Sequence, residues 1–403
     1  MTTREFDLIL FGATSFVGQI MTRRLAERVD DDVTWAIAGR DPDKLAGVAN
    51  EAGIDDVEQI VADAGDALAM SALARRAEVV ASTVGPYALH GSALVAAVAA
   101  EGTDYCDLTG ELQWVRRMIE EHQDAAAASG ARIVNTCGFD SIPSDLGVWF
   151  TQQQALEQFG QPCTSIGLRV KAMKGGASGG TIASMLNLIE DLRADPDLRR
   201  ALRSPYALAP ADMRDGPPQP TVIAPRLDQA SGEWIAPFVM AMLNERVVHR
   251  THALLGRPWG DEFTYGEAML AGAGPVGAAK AAAIAGALGS VAGMAAMAPS
   301  RNALARFLPA PGEGPSPAEQ EAGYFDLRLF GRTDDGEEIV TRVTGDRDPG
   351  YGSTAKMMTE AALAFADVPR DEVGGGFWTP ASAFGDLLVD QLVAEAGLTF
   401  EVL

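Results

Sequence analysis

Short apolar runs alternate with segments of helical spacing through the first third of the chain. Leu8–Phe11, Val33–Ala38, Ile60–Asp63, Glu78–Thr83, Thr103–Asp107 and Ile133–Val134 are too short for buried helices and read as strands. Between them, Phe16–Ala26 carries Val17, Ile20, Met21 and Leu25 on one face, and Gln113–Ser129 carries Val115, Met118 and Ile119. Asp41–Ala52, Ala67–Arg75 and Gly91–Ala100 complete the series. Pro42 suits a first helical turn, and Gly130 suits the residue after a last one. Strand and helix in strict alternation predict a parallel, doubly wound sheet.

The pattern changes beyond about residue 135. Ser165–Met173 alternates as a strand, and Lys174–Thr181 is a glycine-rich loop opening a helix over Ile182–Arg193. That loop fits either an anion site or a plain tight turn. Pro205–Pro225 reads as irregular, and Phe238–His249 fits strand or helix. Ala271–Ala298 is Ala- and Gly-rich and lacks charge from Ala281 onward. Its length approaches a membrane span, but small side chains supply little transfer energy, so a buried or interfacial helix is favoured over a spanning one. An acyl tunnel or lipid contact is a further use for it. Pro309–Pro317 is a linker, and Tyr324–Arg332 and Glu337–Thr344 form a hairpin around Asp334-Asp-Gly336. Ser353 caps a helix over Thr354–Phe365. Gly374–Pro380 is a loop, and Ala383–Ala396 a closing amphipathic helix.

The first turn carries the candidate chemistry. Gly12-Ala13-Thr14-Ser15-Phe16-Val17-Gly18 joins the first strand to the first helix. Glycine permits the sharp turn, and the helix start offers unpaired N–H groups and a positive dipole end to a pyrophosphate. Ser15 stands where a glycine would allow the closest approach; its hydroxyl either donates to phosphate or weakens binding. The second strand ends at Gly39-Arg40, where an NAD site carries an acid for the ribose 2′-hydroxyl. An arginine pairs instead with a 2′-phosphate, so NADP(H) is favoured over NAD(H). Asp63, Thr83, Val84, Gly85 and Pro86 fall at or just beyond strand ends, where such folds bind their ligands.

Composition narrows the choice of partners. At 403 residues, 47% hydrophobic and 22% charged, the chain is long enough for two or three folded domains. A formal charge of −23, with lysines only at 44, 171, 174, 280 and 356, argues against nucleic acid and anionic membrane surfaces over most of the protein. Cys106, Cys137 and Cys163 cannot all pair and form no CxxC, and four histidines lack ligand spacing, so no metal site is expected. The first apolar stretch is the strand itself, which points to a cytoplasmic protein.

Taken together, Phe11-Gly-Ala-Thr with Gly18, Ala36–Arg40, Thr83-Val-Gly-Pro-Tyr87, Gly102–Glu111, Cys137–Asp145, Ser178–Thr181 and Thr379-Pro380 resemble the saccharopine dehydrogenase-like oxidoreductases, including their trans-acting enoyl reductase branch. The resemblance implies an NAD(P)-binding Rossmann domain over residues 1–135. It implies an α+β substrate and dimerisation domain over 136–375, and a C-terminal helix within 376–403 that returns to the first domain. It implies an NADPH-dependent reductase of an apolar acyl or enoyl substrate in lipid metabolism, peripheral to membrane or lipid. A saccharopine-type amino-acid dehydrogenase and a non-catalytic, cofactor-bound lipid-associated protein are the alternatives. The former would need convergent cations such as Arg169, Lys171 and Lys174. Tyr87, Ser141 and Ser144 are candidate donors to a substrate oxygen, because their segments end strands at the cleft. Tyr105 and Cys106 are candidate proton donors. A homodimer is expected on base rates.

Overall fold

The computed structural model describes residues 4–175, 191, 193, 195–296 and 314–403. Most of the glycine-rich loop from Lys174, the helix expected over Ile182–Arg193, the end of the Ala271–Ala298 stretch and most of the Pro309–Pro317 linker lie outside the described residues.

Six apolar runs become strands β1 (Phe6–Phe11), β2 (Trp35–Gly39), β3 (Glu58–Val61), β4 (Ala77–Ser82), β5 (Asp104–Asp107) and β6 (Arg132–Val134). They alternate with helices α1 (Phe16–Arg28), α2 (Pro42–Ala52), α3 (Ala67–Arg76), α4 (Tyr87–His90), α5 (Ser92–Glu101) and α6 (Leu112–Ser129). The sheet is wholly parallel and ordered β6-β5-β4-β1-β2-β3, with Gly376–Trp378 added beside β6. Strand order reverses between β1 and β4, which opens a crevice at their carboxyl ends, where open α/β sheets bind ligands. Helices cover both faces, as a sheet of near-continuous Val, Ile, Leu and Ala requires.

After β6, helix α7 (Ile142–Phe159) leads into a second sheet built of β7 (Cys163–Lys174), β8 (Arg226–Leu227), β9 (Trp234–Ala236), β10 (Thr264–Gly272), β11 (Tyr324–Thr333) and β12 (Glu338–Gly345). The seventh strand of the first sheet, Gly376–Trp378, is β13 in chain order, and Leu398–Val402 is β14. The second sheet is mixed, ordered β14-β12-β11-β7-β10-β9-β8, with β7 and β10 parallel. One hydrophobic core runs from the α1 face of the first sheet (Met21, Leu25, Val79) through α7 to Ile166, Leu168 and Leu329 of the second.

Several elements depart from the sequence pattern. Gly374–Pro380 holds strand β13, not only a loop. The element that returns to the first sheet is this strand; the helix after it, Pro380–Glu395, packs on α7 and on the helix Thr354–Asp367. The latter helix, expected within the second domain, lies against α1, β4 and β5. The ambiguous stretch from Phe238 is helical over Ala241–Leu254. The Ala-rich segment begins as the end of β10, turns at Gly272 and Gly274, both at positive φ, and is helical over Gly274–Ala296. Ser353 does not cap its helix through its side chain; Asp348 instead accepts from the backbone of Tyr351 and Gly352 in the turn before it.

Candidate functional site at the carboxyl end of the parallel sheet

The turn after β1 is built by close packing. Gly12 has φ of 94°, and a Cβ there would lie 2.7 Å from Thr83 Oγ1; a Cβ on Gly18 would lie 2.2 Å from the Gly12 carbonyl oxygen. Both positions therefore exclude a side chain. Ser15 is the N-cap of α1, accepting from the Gly18 N–H at 2.9 Å. Its own hydroxyl donates to Thr83 Oγ1 at 2.9 Å, and Thr83 donates to the Gly12 carbonyl at 2.9 Å. Ser15 thus ties the turn to the end of β4, and its proton does not face the crevice. The N–H groups of Thr14, Phe16 and Val17 have no acceptor among the described residues. These donors, beside Ala13 at the first turn of α1, fit a pyrophosphate.

Gly39 is buried at the end of β2, and Arg40 beyond it is exposed, with no carboxylate partner among the described residues. Asp41 caps α2 through Asp43 and Lys44 N–H, so its charge is turned to the helix. A free guanidinium at this corner fits a 2′-phosphate. Asp63 lies beyond the end of β3 at Val61, exposed, accepting from the Gly65 N–H at 2.8 Å. Thr83 is buried; Val84, Gly85 and Pro86, joined by a cis Gly85–Pro86 bond, lie nearer the surface of the crevice.

The hydroxyls expected to act on substrate are committed or enclosed. The Tyr87 hydroxyl donates to the Ser82 carbonyl at 2.8 Å, and burial pushes its phenol well above its ordinary value. Glu111 accepts from the Tyr87 and Ala88 N–H groups at 2.7 and 3.0 Å, which seats α4. Tyr105 is fully enclosed and also raised, first by burial and then by Asp107. Cys106 is buried and forms no disulfide. Ser141 donates to Asn244 Oδ1 at 3.1 Å, Ser144 accepts from Asn244 Nδ2 at 3.0 Å, and that amide also donates to Glu267. The two buried serines therefore tie the start of α7 to the helix Ala241–Leu254 and, through Asn244, to Glu267 of β10.

Two acids not among the candidate site residues lie beside these hydroxyls, Asp107 at the end of β5 and Asp140 in the turn between β6 and α7. Asp107 is buried and accepts from Thr109 N–H, Thr136 N–H and Asn135 Nδ2 at 3.1, 3.1 and 2.7 Å. Burial outweighs those donors and pushes it up to about 6. Thr136 sits at φ 63°, a costly conformation for a β-branched residue, and the Asp107 bond holds it there. Asp140 is half-buried, and burial, with Asp107 adding, pushes it up to about 7. The signal for Asp107 was its place at the end of an apolar run, and for Asp140 its place in the segment that follows one.

A glycine turn meeting a helix start at a strand-order reversal, with an unpaired arginine one strand over, defines a dinucleotide-dependent oxidoreductase. Residues 8–134 match the family model described as the saccharopine dehydrogenase NADP binding domain, so the cofactor is NADP. A Mycobacterium tuberculosis protein named as a candidate trans-acting enoyl reductase is 40% identical over 99% of this chain and 98% of its own. The trans-acting enoyl reductase of Mycobacterium ulcerans is 38% identical over 96% of each. Saccharopine dehydrogenase (L-Glu forming) from Saccharomyces cerevisiae shares the fold at TM-score 0.56 and 13% identity, over 99% of this chain and 100% of that one. Homospermidine synthase from Legionella pneumophila does so at 0.52 and 10%, over 100% and 92%. The chain belongs to the saccharopine dehydrogenase-like oxidoreductases, in the branch of the trans-acting enoyl reductases.

Proposed function

We propose that this enzyme uses NADPH to reduce the carbon–carbon double bond of an apolar α,β-unsaturated acyl substrate during lipid assembly. The supporting observation is similarity at 40% identity over nearly the whole chain to a protein named for that reaction. Two of the three cations that an amino-acid substrate would draw on are engaged elsewhere. Arg169 is buried in a two-point pair with Asp228, at 2.8 and 3.0 Å, and Lys171 pairs with Glu233 at 3.2 Å. The bound cofactor supplies a hydride. Thr14, Phe16 and Val17 offer N–H groups to its pyrophosphate, Gly12 and Gly18 keep that approach open, and Arg40 meets the 2′-phosphate. Thr83 to Pro86 line the nicotinamide end.

Apolar contact extends to the helix Gly274–Ala296, which exposes Val276 and carries Lys280 as its only charge. None of the helices among the described residues is long and apolar enough to cross a membrane, so this contact would be peripheral. The test follows NADPH oxidation with medium- and long-chain trans-2-enoyl thioesters, against a keto acid plus amino acid. Turnover confined to the thioesters supports the proposal; turnover confined to the keto acid pair overturns it.

A further inference from the structure

The structure brings a carboxyl group to the cleft that neither the comparisons nor the motif reading assigns a role. Asp140 lies in the turn between β6 and α7. An added Cβ at Gly110, in the turn after β5, would stand 3.2 Å from its Oδ1, and one at Gly138 would stand 3.1 Å from its Oδ2. The carboxylate thus sits between the turns that follow β5 and β6, at the carboxyl edge of the parallel sheet. Glycine at both positions leaves it room.

The turn is fixed from behind. Phe139 N–H donates to Thr354 Oγ1 at 2.9 Å, and Thr354 donates to the Pro349 carbonyl at 2.7 Å. Among the described residues no side chain donates to the Asp140 carboxylate, and no lysine or arginine pairs with it; its own backbone N–H is the one donor acting on it. Every other acid in this corner is saturated. Asp107 takes three donors, and Glu111 takes two N–H groups of α4.

From this geometry we infer that Asp140 is the proton donor of the reduction. This rests on the reading of the reaction given above. Hydride adds to the β-carbon of the unsaturated acyl group, and the electron pair of the double bond moves onto the α-carbon and carbonyl. The Asp140 O–H bond breaks and its proton forms the new C–H bond at the α-carbon. NADPH becomes NADP⁺, and the carboxylate regains a proton from water through its open side. Asp107 at the end of β5 and Tyr87 at the start of α4 are the titratable groups that bear on Asp140. Burial first, with the Asp107 charge adding, keeps the donor protonated near neutrality.

The experiment uses full-length protein and Asp140→Asn, with Asp140→Glu as the conservative partner. In wild type, carboxyl ¹³C NMR without cofactor, read as the difference from Asp140→Asn, shows one acid titrating near 7. Turnover with an enoyl thioester falls as pH rises through that value. In Asp140→Asn, turnover drops on the order of 10²- to 10⁴-fold, the range for a lost general acid. The alkaline fall disappears, NADPH binding by fluorescence stays within about twofold, and Asp140→Glu restores part of the rate. An ordinary carboxylate titration near 4 overturns the inference. So does an Asn variant that keeps both its rate and its pH profile. Wild type inert toward all enoyl thioesters, with Asp140 still titrating near 7, counts against the substrate reading and not against the acid.

Discussion

In the proposed function, single residues decide which phosphate the site accepts and whether it accepts one at all. Among the described residues Arg40 has no carboxylate partner, which leaves it available to a phosphate on the adenosine ribose. Replacing it with Ala should weaken NADPH binding by about tenfold or more, the worth of one charge-assisted bond, and leave NADH binding nearly unchanged. Calorimetric titration with both cofactors reads the difference. Gly18→Ala places a methyl group 2.2 Å from the Gly12 carbonyl, which cannot be relieved without moving α1 off the turn. Cofactor binding should be lost for both nucleotides, unlike the selective loss at Arg40. Cofactor contacts at Gly12, Gly18 and Arg40 belong to the proposed function; the tight turn at the two glycines and the exposed place of Arg40 just after β2 were legible because each follows from local backbone and strand pattern. Ser15 was not. Whether its hydroxyl faces phosphate depends on Thr83, a residue on another strand, and pairing of that kind leaves no trace in local spacing.

At the level of elements, the sequence exposed whatever repeats and concealed whatever is short. The alternating strands and helices up to β6, apart from the one-turn α4, and the β11–β12 hairpin were legible, because periodicity reports burial of one face. Strand β13 has three residues and opens with Gly376 at φ 144°, so it lacks both length and alternation. It forms because β6 offers an unpaired edge. The helix Thr354–Asp367 was legible as a helix but not as part of the first layer, because an apolar face does not name the surface it covers. That docking is reinforced by charge. Arg132 at the start of β6 pairs with the buried Asp104 of β5 and also donates to the Phe365 and Val368 carbonyls. Arg132→Ala leaves Asp104 with Arg370 as its remaining cation, and that arginine is more exposed. Destabilisation approaching the 3–5 kcal/mol of a broken buried pair is expected, read as the shift in urea midpoint at constant slope.

For the whole molecule, buried ionisable groups set how stability responds to pH. Asp107 is pushed up to about 6, and Asp140, Asp145 and Glu245 to about 7, by burial first in each case. Each binds a proton more tightly folded than unfolded. Its contribution is present below the usual carboxylate range and lost as pH rises to its folded value. His249 and His252 are pushed down to about 3 and about 4, so they act in the opposite sense and favour the fold as pH rises toward 6.5. Four acids outweigh two imidazoles, and the growing negative charge of the chain adds to the acids. The melting temperature should therefore be higher near pH 5 than near pH 8; the reverse order would contradict the balance. The shared core also couples the two sheets, so NADPH at a hundredfold excess over its dissociation constant should raise one unfolding transition by about 2.7 kcal/mol, not split it in two.

The last thirty or so residues cross from one sheet to the other, ending as β13 in the first and β14 in the second. Neither layer is therefore complete on a nascent chain while its tail is still inside the ribosome. A message truncated before codon 376 yields a polypeptide with β6 bare, and such a product is destined for proteolysis or for edge-to-edge association, not for a smaller working reductase.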